Sequence, residues 1–390
     1  KKKKNPWMSA LAGHLSRHYK RWLAGMSVVV VVLTASVGLN RTNDVFNEYF
    51  DETFEVRRVN DFAMSEMTGM HRIDYAVPSG ESGGTMEPEY LQHLDDLMTW
   101  LEQQDEVVYA TSYTNVIKRL NRDLHGGDPA YYRIPDSREL ISQYTLLYEL
   151  SLPQGLGLED QLDIDKRQAR AIVVLENIGS KPVLDFNDRV EQWMQDNWPA
   201  AMQTKGTGMD ILFGRVTMRN IESMLGGALI ALISVSLLLI FALRSVRYGL
   251  LSLIPNLLPA AMAFGLWGLI NGEIGLAVSV VACMTLGIVV DDTVHFLSKY
   301  VRAKRELGLN TEKAVDYAFR TVGVALVATS VVLVANFAII GTSHFYPNAS
   351  MGLLSAITIA MALFVDFFFF VPLLIALDRA RRSSQPGKAG

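Results

Sequence analysis

One cysteine, Cys283, stands in a chain of 390 residues, so no disulfide can form within it and every folded part must hold by packing. Cys283 lies inside an apolar run, where a buried small hydrophobe is its expected role. A Walker lysine loop is missing, which argues against ATP-driven work by this chain. The seven histidines show no metal spacing. His14 and His18 are four apart, but they sit in a basic flank without an acid, so neither metal nor cofactor is expected. Lys and Arg are absent from 271–273 and 342–350, although they crowd other connections.

Long apolar runs are abundant. A hydrocarbon layer of about 30 Å requires roughly 20 apolar residues in a helix. Six stretches come near that length: Trp22–Leu39, Met224–Leu243, Gly249–Ile270, Ile274–Leu297, Thr321–Gly341 and Met351–Leu377. The first is read as a retained signal anchor, because its basic flank is long and no small-residue cleavage site follows. Residues 40–215 hold 31 acids against 16 bases, a balance of -15; the remainder holds 9 against 20, a balance of +11. Basic residues cluster at Lys1–Lys4, Arg17, Lys20 and Arg21, at Arg244 and Arg247, from Lys299 to Arg320, and at Arg379, Arg381 and Arg382. The positive-inside rule then places both termini in the cytoplasm and the acidic region outside. Such an acidic region also disfavours nucleic-acid binding.

The resulting division is a basic cytoplasmic segment (1–21), a first helix (22–39), an outer domain (40–220), five helices (221–378) and a cytoplasmic tail (379–390). The chain opens on Lys rather than Met, which suggests the later part of a longer polypeptide, although Met8 is a possible start. Two β-α-β passages stand out in the outer domain. Arg72–Val77, Glu87–Gln104 and Glu106–Thr111 read as strand, helix and strand, and Ala169–Glu176, Val183–Asn197 and Met202–Thr207 repeat the order. That pattern fits a split, ferredoxin-like α/β sandwich. Between them come a helix at Ser137–Leu150, a Gly/Pro-rich turn at Leu152–Gly157 and an acidic patch, Glu159–Asp165, expected to be a solvated face.

The fourth apolar run carries Gly287-Ile-Val-Val-Asp291-Asp292-Thr-Val-His295. Each carboxylate at mid-helix costs about 2.5–3.5 kcal/mol on insertion scales. Lys299 is seven residues past Asp292, about 10 Å at helical rise, so the pair lies below the surface. A buried acid pair whose proton occupancy changes near neutral pH suits a proton relay, and the two would titrate as one unit. Adjacent positions diverge by about 100°, so the two acids cannot share one partner in the same way. Gly287 lies one turn before Asp291 and leaves room for a neighbouring helix. His295 lies one turn after on the same face, as a structural polar residue or a proton carrier. Thr329 and Asn336 share a face of the fifth helix, with Ser330 beside it, as supporting or ordinary interhelix groups. Asp366 in the sixth helix is a third intramembrane acid, structural or transporting. Pro255, Asn256 and Pro259 in the third form a passive kink or a hinge.

One helix, a large outer domain and five further helices resemble one repeat of the resistance-nodulation-division (RND) superfamily, and the MMPL branch in particular. The features that carry this likeness are Gly287-x-x-x-Asp291-Asp292, Ile254-Pro-Asn-Leu-Leu-Pro259, Thr329-Ser330 and the Asp366 region followed by Pro372. The resemblance implies a bacterial inner-membrane protein with a periplasmic porter domain, this chain being the C-terminal of two repeats. It further implies that Asp291 and Asp292 are the proton site and that import of protons drives export of lipid-like or hydrophobic substrates. The partners implied are membrane lipids, a second six-helix repeat in the same chain or a homo-oligomer, and periplasmic or outer-membrane proteins. Two other readings stand beside it: a lipid- or sterol-sensing scaffold, and an accessory of protein secretion of the SecD/SecF type.

Overall fold

A computed structural model describes residues 6–153 and 157–383, the side chains of Arg382 and Ser383 excepted. The Lys1–Lys4 run, residues 154–156 of the Gly/Pro-rich turn, and 384–390 of the tail lie outside the described residues.

In chain order, α1 (Pro6–Arg17) leads into α2 (Tyr19–Ala35) and the short strand β1 (Arg41–Thr42). There follow α3 (Glu55–Glu66), β2 (His71–Pro78), α4 (Pro88–Leu101), β3 (Val107–Ser112), α5 (Tyr113–Leu124), α6 (Arg138–Ser151), β4 (Gln168–Leu175) and α7 (Ser180–Asn197). The 34-residue α8 (Met209–Ala242) comes next, then α9 (Val246–Leu251), α10 (Leu253–Ile270), β5 (Glu273–Ile274) and α11 (Leu276–Arg305). The chain ends with α12 (Thr311–Ala318), α13 (Val324–Ile340), α14 (Tyr346–Phe364) and α15 (Val371–Ser383). Two π-helical turns, Phe319–Gly323 and Val365–Phe370, join α12 to α13 and α14 to α15.

Among the described residues six helical spans are long and apolar enough to cross a membrane: Tyr19–Leu39, Met209–Ala242, Val246–Ile270, Leu276–Arg305, Thr311–Ile340 and Tyr346–Arg381. All are as long as or longer than the apolar runs inside them. Helices do not stop where lipid stops; they stop at a breaker or a cap. The stretch from Met209 to Ser223 is polar in part but has no internal proline, so α8 continues through it, and at about 1.5 Å per residue it is some 51 Å long.

The chain divides into two compact units, Lys1–Asp44 with Arg219–Gly390, and Val45–Met218. In the second, β2, β4 and β3 form an antiparallel sheet in that order, with His71 opposite Leu175 and Ser112 opposite Ala171. Alternate residues of β2 (Ile73, Tyr75, Val77) are buried. They share a core with the stripe Leu91, Leu94, Leu97, Met98 and Leu101 of α4 and with Val183, Phe186, Val190 and Met194 of α7. Buried polar groups are paired, as they must be: the Tyr75 hydroxyl donates to Asn187 Oδ1 (3.1 Å) and the Tyr90 hydroxyl to the Val77 carbonyl (2.8 Å). Burial holds both phenols well above their ordinary range. The strand expected at Met202–Thr207 is reduced to one antiparallel bridge, Thr207 opposite Asp74. Thr207 is flanked by glycines; a side chain at Gly206 would meet Asn187, and Gly208 takes a φ of +129°, so pairing ends after one residue.

In the first unit, α10 and α2 approach so closely that a Cβ on Gly265 would overlap the Leu33 carbonyl oxygen. Asn40 fastens the same pair, donating to the carbonyls of Phe264 (2.9 Å) and Val37 (3.0 Å). Strand β1 pairs in parallel with β5, and the Asp44 carboxylate accepts from the Leu276 N–H (3.1 Å), capping α11. Gly265→Leu should therefore separate α2 from α10. The expected result is a lower unfolding midpoint in detergent, with Gly226→Leu, at a position open on all sides, as the silent control.

Candidate functional site

Helix α11, helix α13 and the π turn Val365–Phe370 supply the side chains of the site. α11 turns one face to α14 and α12 and leaves another bare, and the two adjacent acids fall on different faces. The Asp291 side chain is 71% exposed, and Nε2 of His295 lies 3.3 Å from its Oδ1. Asp292 is only 8% exposed and accepts a hydrogen bond from Ser330 Oγ of α13 (3.2 Å). The 100° between neighbours on a helix accounts for the split. Gly287 shares the bare face with Asp291 and His295, and a Cβ there would meet nothing.

Next to Asp292, the buried Thr293 donates its hydroxyl to Oδ1 of Asp366 (3.3 Å). Asp366 sits in the π turn Val365–Phe370 with 3% exposure, and its Oδ2 has no partner among the described residues. A π turn inserts an extra residue and commonly marks a functional position. Ser330–Asp292 and Thr293–Asp366 are thus two neighbouring buried polar pairs, set on α11 by adjacent residues and drawn from three elements. On the side of the termini an aromatic plug closes beneath them: Phe296, one turn past Asp292, meets Phe319 (5.3 Å between centroids), which meets Phe367 (4.9 Å). All three rings are buried.

Not all the expected residues meet. Thr329 and Asn336 share an exposed face of α13, and the Thr329 hydroxyl donates to the carbonyls of Ala325 and Leu326 on its own helix. Pro255, Asn256 and Pro259 point into the bundle from α10. Asn256 is 1% exposed, and neither its amide nitrogen nor its oxygen has a partner among the described residues. An orphaned amide in a dry interior is costly, so water or a moving partner is expected there.

A second polar cluster lies nearer the ends of α11 and α15. Asp378 accepts from the hydroxyls of Tyr300 (2.7 Å) and Thr311 (3.1 Å) and pairs with Lys304 (3.1 Å) and Arg247 (3.4 Å). Thr293 and Asp378 were the members that sequence reasoning passed over. Thr293 directly follows the acid pair, and Asp378 lies twelve residues past Asp366 beside the basic cluster at Arg379, Arg381 and Arg382. No group of three or more His, Cys, Asp or Glu that could hold a metal occurs among the described residues.

These features define a multi-pass membrane protein with buried acids in its helix bundle. The model of the MMPL family matches residues 74–389, and the chain belongs to that family. It is also similar to "Putative membrane protein MJ1562" of Methanocaldococcus jannaschii, 23% identical over 370 residues that cover 91% of this chain and 90% of the relative. The two proteins are therefore of similar length.

Proposed function

We propose that this chain is half of a proton-driven exporter of hydrophobic or lipid-like molecules, with Asp292 as the group that takes up and releases the proton. The observation that carries the reading is the enclosure of Asp292 against Ser330, beside the Thr293–Asp366 bond and above the aromatic plug. A carboxyl held in such surroundings has a strong reason to change its packing when it changes charge. Protonation of Asp292 weakens the attraction that orders Ser330, so α13 can shift against α11. Basic residues on the termini side support a cytoplasmic placement there, with unit Val45–Met218, read as a split β-α-β porter domain, on the outer side.

Asp291 and His295 complete the relay at the bare face of α11. A carboxylate facing lipid at mid-helix costs about 2.5–3.5 kcal/mol, so a second six-helix bundle is the expected cover. Gly287 allows close approach there. That bundle is a second repeat of the same polypeptide or a second copy of this chain, and a cross-link between copies reads the latter. With Cys283 replaced by Ser, Gly287→Cys is expected to give an oxidised dimer in membranes, whereas Cys at the outward Val331 is not. Equal cross-linking at both positions would remove the case for this face.

The function is tested in vesicles reconstituted with the full chain and a fluorescent amphiphile under an imposed pH gradient. Gradient-dependent movement of the probe, abolished by a protonophore, is the expected result. Binding of the probe without gradient-dependent movement would contradict it and match a sensing role.

A further inference from the structure

Where α1 gives way to α2 at His18, a cavity of about 670 Å³ opens between α2 and α15. Its lining has two parts. Tyr19, Lys20 and Arg379 stand at its polar end, while Leu23, Ala24, Ser27 and Ala376 continue it along the apolar length of the two helices. The small residues leave a trough, and a trough of this kind inside the hydrocarbon layer is filled by an acyl chain.

Charge points the same way. The Arg379 guanidinium lies over the Tyr19 ring (4.8 Å to the centroid) and is bonded to Glu312, so it is held in place before anything binds. The two acids nearest this end are already engaged, Glu312 with Arg379 and Asp316 with Arg320 (3.7 Å). Arg17, Lys20 and Arg21 have no acidic partner among the described residues. Arg17 and Arg379 also line an adjoining cavity of about 440 Å³ with Ser9, Ser16 and the two engaged acids, Glu312 and Asp316. The unpaired Lys20 and the preset Arg379 guanidinium thus stand in the trough itself, with Arg17 in the cavity that adjoins it. Basic pockets between spanning helices are the form that sites for anionic headgroups take.

We infer that the α2–α15 trough is a binding site for one anionic phospholipid from the leaflet on the side of the termini, its phosphate against Lys20 and Arg379 and one acyl chain along Leu23, Ala24, Ser27 and Ala376. The lipid is a resident of the site and is separate from the exported molecule. The inference depends on the six membrane spans and not on the transport reading. Lipid held there bridges α2 to α15, the helix that continues from the Asp366 π turn.

The experiment is native mass spectrometry of the full chain released from nanodiscs of equal phosphatidylglycerol and phosphatidylcholine with identical acyl chains. Retention of one phosphatidylglycerol in preference to phosphatidylcholine is expected. A cation near a membrane surface contributes enough for Lys20→Ala to lower that preference about fivefold, and Arg17→Ala with Lys20→Ala about thirtyfold. Lys313→Ala, an exposed cation on the same side, should leave it unchanged. Ala24→Phe keeps every charge and fills the trough, and it should also release the lipid. Equal retention of both lipids, or loss in Lys313→Ala as large as in Lys20→Ala, overturns the site. So does a preference that Ala24→Phe leaves intact while inorganic phosphate competes it away, because the cations would then bind a free anion and no chain.

Discussion

Asp292→Asn should reduce the substrate gradient sustained by the reconstituted protein to unity. Moving one charge through 100 mV yields about 2.3 kcal/mol, which supports a gradient of about fiftyfold for each proton coupled. Asparagine matches aspartate in size and can still meet Ser330, so folding and membrane insertion should be preserved while proton exchange is lost. The variant is therefore expected to bind probe normally and to equilibrate it without accumulating it. Asp366→Asn should resemble it, since Thr293, which holds that carboxylate, directly follows Asp292 on α11. Asp291→Asn removes the negative charge that faces His295 on the bare side of α11. It is expected to weaken assembly of the two bundles more than it weakens probe binding. Full accumulation by Asp292→Asn would remove the coupling role outright.

The second large effect is on stability. Asp378 is the anion around which Arg247, Lys304, Tyr300 and Thr311 are arranged, and they come from α9, α11 and α12. Removing one partner from a buried ion pair costs about 3–5 kcal/mol, because the remaining charge is left without its counter-ion. Lys304 and Arg247 keep some access to water, so Asp378→Ala is expected to cost about 3 kcal/mol, toward the lower end of that range. The check is the unfolding midpoint in detergent, and Arg302→Ala serves as the comparison. Arg302 makes an exposed pair with Glu306 along its own helix, and its loss should leave the midpoint in place. If both variants unfold alike, the Asp378 cluster is a surface ornament and no tie.

Six spans were legible because lipid demands length, and length is written directly in the apolar runs. Which face of each span turns inward was not. Inside a membrane the bundle interior and the lipid are equally apolar, so the periodicity that orients a helix in a soluble protein is missing. Asp291 and Asp292 illustrate the limit. Their spacing predicted that they diverge, yet nothing in the sequence told which would meet Ser330. The Asp291–His295 contact was readable because i and i+4 always share a face, whatever packs outside. Asp366 could be noticed as a buried acid, but no residue pattern announces its π turn, which packs among α2, α10, α14 and α15. In the outer unit, alternation located β2 and β4 closely, whereas the Met202–Thr207 segment looked like a strand and was stopped by the backbone of Gly206 and Gly208. Asp378 carries no local signal beside Arg379, Arg381 and Arg382, and only the fold brings Tyr300 and Thr311 to it.

The account depends on Asp292 changing its protonation while enclosed in the bundle. Infrared difference spectroscopy on the reconstituted protein reads this directly, because a protonated carboxyl has a carbonyl stretch that a carboxylate lacks. Between acidic and alkaline buffer, the wild-type chain should gain and lose a protonated-carboxyl band characteristic of a water-poor site, and Asp292→Asn should lack it. A band that persists unchanged in Asp292→Asn, or the absence of any titrating enclosed carboxyl in the wild type, would contradict the account.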